Sequence, residues 1–248
     1  MILDIDVGNT RLKWRHGSQQ GFVNTAGLES SVLQHAWSGL MRPQRVRLVS
    51  VAGADIDRVV SDFCQQQWRV AAEQALTQAA QAGITNSYST YQTMGADRWL
   101  AMLAGFNRTE GGCCVVDCGS AVTVDYVDAQ GRHLGGYIAP GVRLMRKGLL
   151  SNTRQIDLPE EVRSRFDTRP GTSTAEAVGH GIELMMAALA QRVVRDCRTM
   201  LGEASSLLVT GGDGERFLDS AGAGEWCADL VLDGLAWALP DASISQGE

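Results

Sequence analysis

Cys113–Asp128 reads CCVVDCGSAVTVDYVD, and it restates in outline the opening Met1–Arg15, MILDIDVGNTRLKWR. In each, an apolar strand-like run ends at an aspartate, and one residue, a glycine, a small polar residue and another small residue lead into a second strand. Asp6 and Asp117 stand close to half the chain apart. Self-similarity at such a spacing marks two related halves. The boundary is expected near Thr109–Gly112, dividing the chain into residues 1–110 and 111–248.

Outward from the first copy, MILDID, RLKWRH and FVNT are strand signals separated by GN and GSQQG turns, so a three-strand meander is predicted. An amphipathic stretch from Leu28 to Leu40, a strand at Val46–Val51 and a helix at Ile56–Gln66 follow. Strands first and then alternating helix and strand give a mixed sheet with helices on its faces. The second half continues with a turn at DAQGR, a strand at Gly136–Ala139, a helix at Val142–Leu150 and a long helix from Thr174 to about Leu201. The strand SLLVT then runs into GGDG. The polar, Arg-rich connection Ser151–Gly171 reads as a surface loop or a subunit contact. The fold class is therefore α/β, with two related lobes.

The bulk numbers narrow the function. A net charge of −6 over 248 residues, with pI near 5.3, argues against a general grip on nucleic-acid backbones. The longest charge-free stretch, Gln74–Ala96, is rich in Gln, Ala, Ser and Thr and falls short of the apolar density of a membrane span. MILDID opens the sequence without a basic segment and apolar run of secretory type, so a cytoplasmic protein is expected. Cys64, Cys113, Cys114, Cys118, Cys197 and Cys227 form no C-x-x-C pair and are expected to be reduced. The four histidines are scattered without metal-ligand spacing. No G-x-S-x-G, H-E-x-x-H, P-loop or G-x-G-x-x-G fingerprint occurs.

Chemistry concentrates in four places. The loop Asp6-Val7-Gly8-Asn9-Thr10 offers a carboxylate at a strand end, backbone N–H groups and nearby Lys13, the parts needed for Mg²⁺ and the outer phosphates of a nucleotide. Taken alone, it is equally a hairpin with an Asx-type turn. Its repetition at Asp117, Gly119, Ser120 and Thr123 changes the balance, because two such loops can hold one polyphosphate between them. Thr210-Gly211-Gly212-Asp213-Gly214 follows a strand and precedes GERFLDSA, where glycines let a nucleoside approach the backbone. Tyr91–Arg98, YQTMGADR, stands directly before the helical run WLAMLAGF. Asp97 suits an N-cap there, and equally a carboxylate that orients an attacking hydroxyl and accepts its proton. Arg98 beside it suits an anionic acceptor or the transferring phosphoryl group.

Together, DVGNTRLK at Asp6–Lys13, GADR at Gly95–Arg98, DCGSAVTVD at Asp117–Asp125, GGYIAPG at Gly135–Gly141, TAEAV at Thr174–Val178 and TGG at Thr210–Gly212 resemble, in order, the motifs of type III pantothenate kinases. The resemblance spans nearly the whole chain. It implies two duplicated ribonuclease-H-like lobes with mixed five-stranded sheets and flanking helices around a nucleotide cleft, of the actin/hexokinase kind. It also implies a homodimer, ATP with Mg²⁺, a monovalent cation (K⁺ or NH4⁺), and transfer of the γ-phosphoryl group to the primary hydroxyl of pantothenate, the first step toward coenzyme A. By likeness, Asp6, Val7, Gly8, Asn9, Thr10, Arg11, Leu12 and Lys13 form the phosphate and Mg²⁺ loop. Ser120, Gly211 and Gly212 complete the ATP contacts; Ser120 stands where the family more often has Thr and keeps the hydroxyl. Asp97 resembles the proton acceptor, and Tyr91, Gly95, Ala96, Asp97, Arg98 and Thr174 resemble the pantothenate pocket, with Thr172 and Ser173 as competing hydroxyls. Asp117 resembles the monovalent-cation ligand. Two other readings fit the same motifs: a kinase of a different hydroxyl acceptor, and a nucleotide-binding regulator like the Bvg accessory factors.

Overall fold

Leu3, Ile5 and Val7 alternate with Asp4 and Asp6 along β1 (Ile2–Val7), and the three aliphatic side chains are fully buried. That period-two pattern seats one face of a strand on a core, with about 1.5–3 kcal/mol gained per buried aliphatic side chain. The computed structural model describes residues 1–152 and 167–241. Most of the expected connection Ser151–Gly171 lies outside them.

On one side β1 pairs antiparallel with β2 (Arg11–His16), which pairs with β3 (Gln19–Asn24). On the other side lie the parallel strands β4 (Arg45–Ser50) and β5 (Ala72–Gln74). Two helices, α1 (Ser30–Ala36) and α2 (Ala54–Trp68), contribute Leu33, Val60 and Phe63 to the core beneath β1. A small hairpin of β6 (Ala80–Gln81) and β7 (Ile84–Thr85) and a 3-10 turn at Tyr91–Thr93 lead into α3 (Ala96–Asn107).

The second sheet repeats the scheme. Its meander is β8 (Cys113–Cys118), β9 (Ala121–Val127) and β10 (His133–Pro140), followed by α4 (Val142–Asn152) and α5 (Thr174–Leu201). Then come β11 (Ser206–Thr210), α6 (Gly214–Ala221), β12 (Glu225–Trp226) and finally α7 (Leu230–Ala238). The sheet orders are β3-β2-β1-β4-β5 and β10-β9-β8-β11-β12, the same mixed arrangement twice. This bears out the duplication expected from the two aspartate-glycine loops.

Two compact units result: Met1–Arg108 with the segment from Asp229, and Thr109–Ala228. The units differ from the expected halves at the C terminus, because α7 belongs with the first unit. Its Leu230, Leu232 and Leu235 are buried, and Gly234 lies so close to α3 that a Cβ there would sit 2.1 Å from the carbonyl oxygen of Leu100. A polar network ties α7 to the sheet. Arg47 donates to both Asp4 oxygens, at 2.7 and 3.1 Å, while Arg15 donates to Asp233 at 2.7 Å and to Asp4 at 3.4 Å.

In the second unit Cys114, Val116, Cys118 and Tyr126 pack against Met186, Ala190, Val193, Cys197 and Phe217. All six cysteines are free and buried, acting as small apolar side chains. Among the described residues no helix is long and apolar enough to cross a membrane.

Candidate active site

The β1–β2 turn is pinned on both sides. Gly8 N–H donates to Arg11 O at 3.0 Å, and Thr25 Oγ1 donates to Gly8 O at 2.8 Å. The eight residues assigned to the phosphate loop then divide by role. Val7 and Leu12 are fully buried, so only their backbones face the turn. The Arg11 guanidinium lies over the Phe22 ring, 4.5 Å from its centroid. Asp6, next to last in β1, is 9% exposed and in register opposite Lys13, which juxtaposes a carboxylate and an ammonium stem across the hairpin. Asn9 is exposed and Thr10 half-buried at the turn itself.

Beside the C-terminal end of β4, the first unit opens a cleft of about 450 Å³. Tyr91, Gly95 and Ala96 line it together with Ser50, Val51, Leu76, Thr77, Gln78, Gln92, Thr93 and Met94. Gln92, Thr93 and Met94 belong to the YQTMGADR stretch already singled out, whereas Ser50, Val51, Leu76, Thr77 and Gln78 escaped sequence reasoning. Gln78 sits in a charge-free stretch with no periodicity, and only the fold brings it to Ser50. Thr77 Oγ1 donates to Met94 O at 2.9 Å, fixing one wall.

The next residue is Asp97, in the first turn of α3. The N-cap of that helix is Gly95, which corrects the expectation that Asp97 would cap it. Asp97 is half-buried, and its Oδ1 accepts the backbone N–H of Arg98 at 2.8 Å. A helix N-terminus favours negative charge at this place. Arg98 is 6% exposed, so it is no solvated first-turn residue; its Nη1 donates to Tyr88 Oη at 3.2 Å and its guanidinium lies 5.8 Å from that ring's centroid. Tyr88 is a further neighbour that no motif announced.

In the second unit Asp117 is next to last in β8, in register with Thr123 of β9 and Thr210 of β11. The neighbouring backbone is tightly knitted: Gly119 N–H donates to Ala121 O, Gly141 N–H to Ser120 O and Asp213 N–H to Cys118 O, each at 3.0 Å. Gly211 has φ +88°, and a Cβ on it would lie 2.4 Å from Asp117 Oδ1. The fold thus brings Asp117 and Gly211 together, while Gly212 faces open space. This gives Gly211 a local duty against Asp117 that the sequence reading, concerned with a nucleoside, did not foresee.

At the start of α5 the three competing hydroxyls separate. Ser173 is the N-cap, its Oγ accepting Glu176 N–H at 3.2 Å, and Thr172 donates both N–H and Oγ1 to Glu176 Oε2 at 2.7 and 2.8 Å. Those two donors hold the Glu176 carboxyl below its usual range. Thr174 is exposed at the first helical position.

Among the described residues no group of three or more His, Cys, Asp or Glu could hold a metal ion. Mg²⁺ carried by a nucleotide needs only one or two carboxylates beside phosphate oxygens and water, so a lone Asp6 at the loop fits that duty.

The family model described as type III pantothenate kinase matches residues 2–196. The chain belongs to the type III pantothenate kinase family. A type III pantothenate kinase of Marinobacter nauticus is 40% identical over 240 residues, covering 95% of this chain and 96% of its own. One from Pseudomonas fluorescens is 37% identical over 248 residues, covering 97% and 99%. Membership in this kinase family bears out the resemblance seen in the six ordered motifs. Among solved structures, a Baf family transcriptional activator from Campylobacter jejuni superposes with TM-score 0.60 at 20% identity, covering 94% of each chain. A 2-dehydro-3-deoxygalactonokinase from Sinorhizobium meliloti does so with TM-score 0.54 at 13% identity, covering 96% of this chain and 98% of its own. At such identities these two likenesses speak for the fold alone.

Proposed function

We propose that this pantothenate kinase uses Asp97 as the carboxylate that aims and deprotonates the primary hydroxyl of pantothenate. The carrying observation is a carboxylate fixed at the N-terminus of α3, next in sequence to Gly95 and Ala96 of the 450 Å³ cleft. The hydroxyl oxygen forms a bond to the γ-phosphorus of ATP, the bond from that phosphorus to the β,γ-bridging oxygen breaks, and ADP leaves. The proton passes to Asp97 late in the step, because a loose transition state asks mainly for positioning. Pantothenate lies in the cleft against Tyr91, Gly95 and Ala96, and Arg98, held by Tyr88, supplies positive charge near its acceptor end. Thr174, in the second unit, is a substrate residue by likeness to the family alone.

Within the first unit the loop Asp6–Lys13 offers groups for the phosphates of ATP. Ser120, Gly211 and Gly212, within the second unit, are nucleotide contacts by likeness to the family's motifs. Asp6 would hold Mg²⁺ and Asp117 a K⁺ or NH4⁺ ion. Such cations, when bound, neutralise charge on the phosphates. Free thiols fit a reducing, cytoplasmic setting. Exposed Leu134, Tyr137 and Ile138 on the edge strand β10 fit a homodimer, in which a second copy would cover that edge.

The test is a panel of acceptors given with ATP and Mg²⁺ in K⁺ and in Na⁺ buffers, with ADP release and phosphorylated product both measured. ADP release that requires pantothenate and matches phosphopantothenate one to one supports the reading. Preference for a hexose, or nucleotide binding without pantothenate-dependent turnover, overturns it.

A further inference from the structure

Gly95 occupies a position where glycine is an unexpected choice on backbone grounds. Its φ of −56° and ψ of 132° are open to every L-residue, so conformational freedom does not explain it. It is also the N-cap of α3, where Ser, Thr, Asp or Asn would satisfy a helix N–H with a side-chain oxygen, and no side chain caps this helix. Part of that duty falls instead to Asp97, whose Oδ1 accepts the Arg98 N–H at 2.8 Å.

What a side chain at position 95 would meet explains the choice. A Cβ there would lie 2.6 Å from Asp97 Oδ1, well inside contact distance. The other near atoms are Asp97 Cγ at 3.7 Å and Val51 Cγ1 at 3.9 Å, both ordinary contacts. The collision is therefore with one carboxylate oxygen at the end of a rotatable side chain, and with no backbone atom. An alanine would be accommodated by turning the Asp97 carboxylate away from the Arg98 N–H, with the helix backbone left as it is.

We infer that Gly95 is a positioning residue for phosphoryl transfer: the missing Cβ reserves the space in which the Asp97 carboxylate is held for the acceptor hydroxyl. The inference rests on the reading of Asp97 given above. Misplacing a general base by about 1 Å costs rate more than affinity, on the order of tenfold to a hundredfold. A side chain that merely narrowed the cleft would raise KM instead.

The experiment is a double-mutant cycle of Gly95→Ala and Asp97→Asn, with kcat, KM for pantothenate and melting temperature measured for each. Gly95→Ala is expected to lower kcat about tenfold or more while KM stays within roughly threefold. Its melting temperature should lie within about 2 °C of wild type, since only a side-chain rotation is forced. In the Asp97→Asn background the same substitution should change kcat by less than about twofold, because the group it acts through is gone. Independent losses that multiply in the double variant, a raised KM with kcat kept, or wild-type kcat in Gly95→Ala would overturn the inference while leaving Asp97 as the base. Near-wild-type kcat in Asp97→Asn alone would overturn the reading of Asp97 and the inference with it.

Discussion

Replacing Gly211 by alanine probes how the second unit holds Asp117. Gly211 has φ +88°, in the left-handed region, where a residue with a Cβ pays about 1–2 kcal/mol. The Cβ would also lie 2.4 Å from Asp117 Oδ1 and 2.5 and 2.6 Å from the Cys118 backbone carbon and nitrogen. A carboxylate can rotate away, but the Cys118 backbone is part of β8 and is fixed by the Asp213 N–H donated to its carbonyl. Overpacking against such atoms adds about 1–3 kcal/mol. A combined loss near 3 kcal/mol should lower the melting temperature by roughly 6–12 °C. Gly212 is the internal comparison, since its Cβ would meet nothing within 4 Å and its φ is not positive. Gly212→Ala should therefore move the transition by less than about 2 °C. Thermal unfolding followed by circular dichroism or calorimetry reads both. Equal shifts for the two variants, or a Gly211→Ala transition within a degree of wild type, would refute the reasoning.

Two further outcomes follow from buried charge. Arg47→Ala strands the Asp4 carboxylate, whose remaining partner is Arg15 at 3.4 Å, and should cost about 3–5 kcal/mol in denaturant titrations; a loss below about 1 kcal/mol would contradict the network's role. Burial of the Glu183 carboxyl raises its pKa above the ordinary 4.5, partly offset by Arg216, so the folded chain holds that proton more tightly than the unfolded one. The stability this contributes is present at acid pH and is lost as pH rises through the raised value, so Glu183→Gln should gain on wild type in melting temperature as pH is raised above the ordinary 4.5. An unchanged difference as pH rises would argue against the shift.

The fold was legible where local sequence carries the constraint. An apolar strand ending in Asp, one residue and Gly appears twice, and both copies form the central strand of a five-stranded mixed sheet in the same order. The long helix Thr174–Leu201 and the strand Ser206–Thr210 were readable for the same reason, since their apolar periods and caps are local. The placement of α7 was not. Its sequence LVLDGLAWA is apolar on most sides and says nothing about which sheet it covers, and Gly234 reveals its purpose only beside Leu100.

The site divides in the same way. Asp6 and Asp117 stand out because the strand-Asp-x-Gly loop occurs twice, and Asp97 because GADR immediately precedes an apolar helix. Ser50 and Gln78 are neutral residues from separate segments, brought to one cleft only by the fold. The cap at α5 shows an intermediate case. Thr172, Ser173 and Thr174 look interchangeable in sequence, and the hydrogen bonds of the first two to Glu176 set Thr174 apart.

The most direct trial is stopped-flow turnover of Asp97→Asn alongside a calorimetric titration with the non-hydrolysable ATP analogue. The expected result is a kcat reduced by about two orders of magnitude or more, with nucleotide affinity within roughly threefold of wild type. A variant that phosphorylates pantothenate at better than about a third of the wild-type rate would contradict the assignment of Asp97 as proton acceptor.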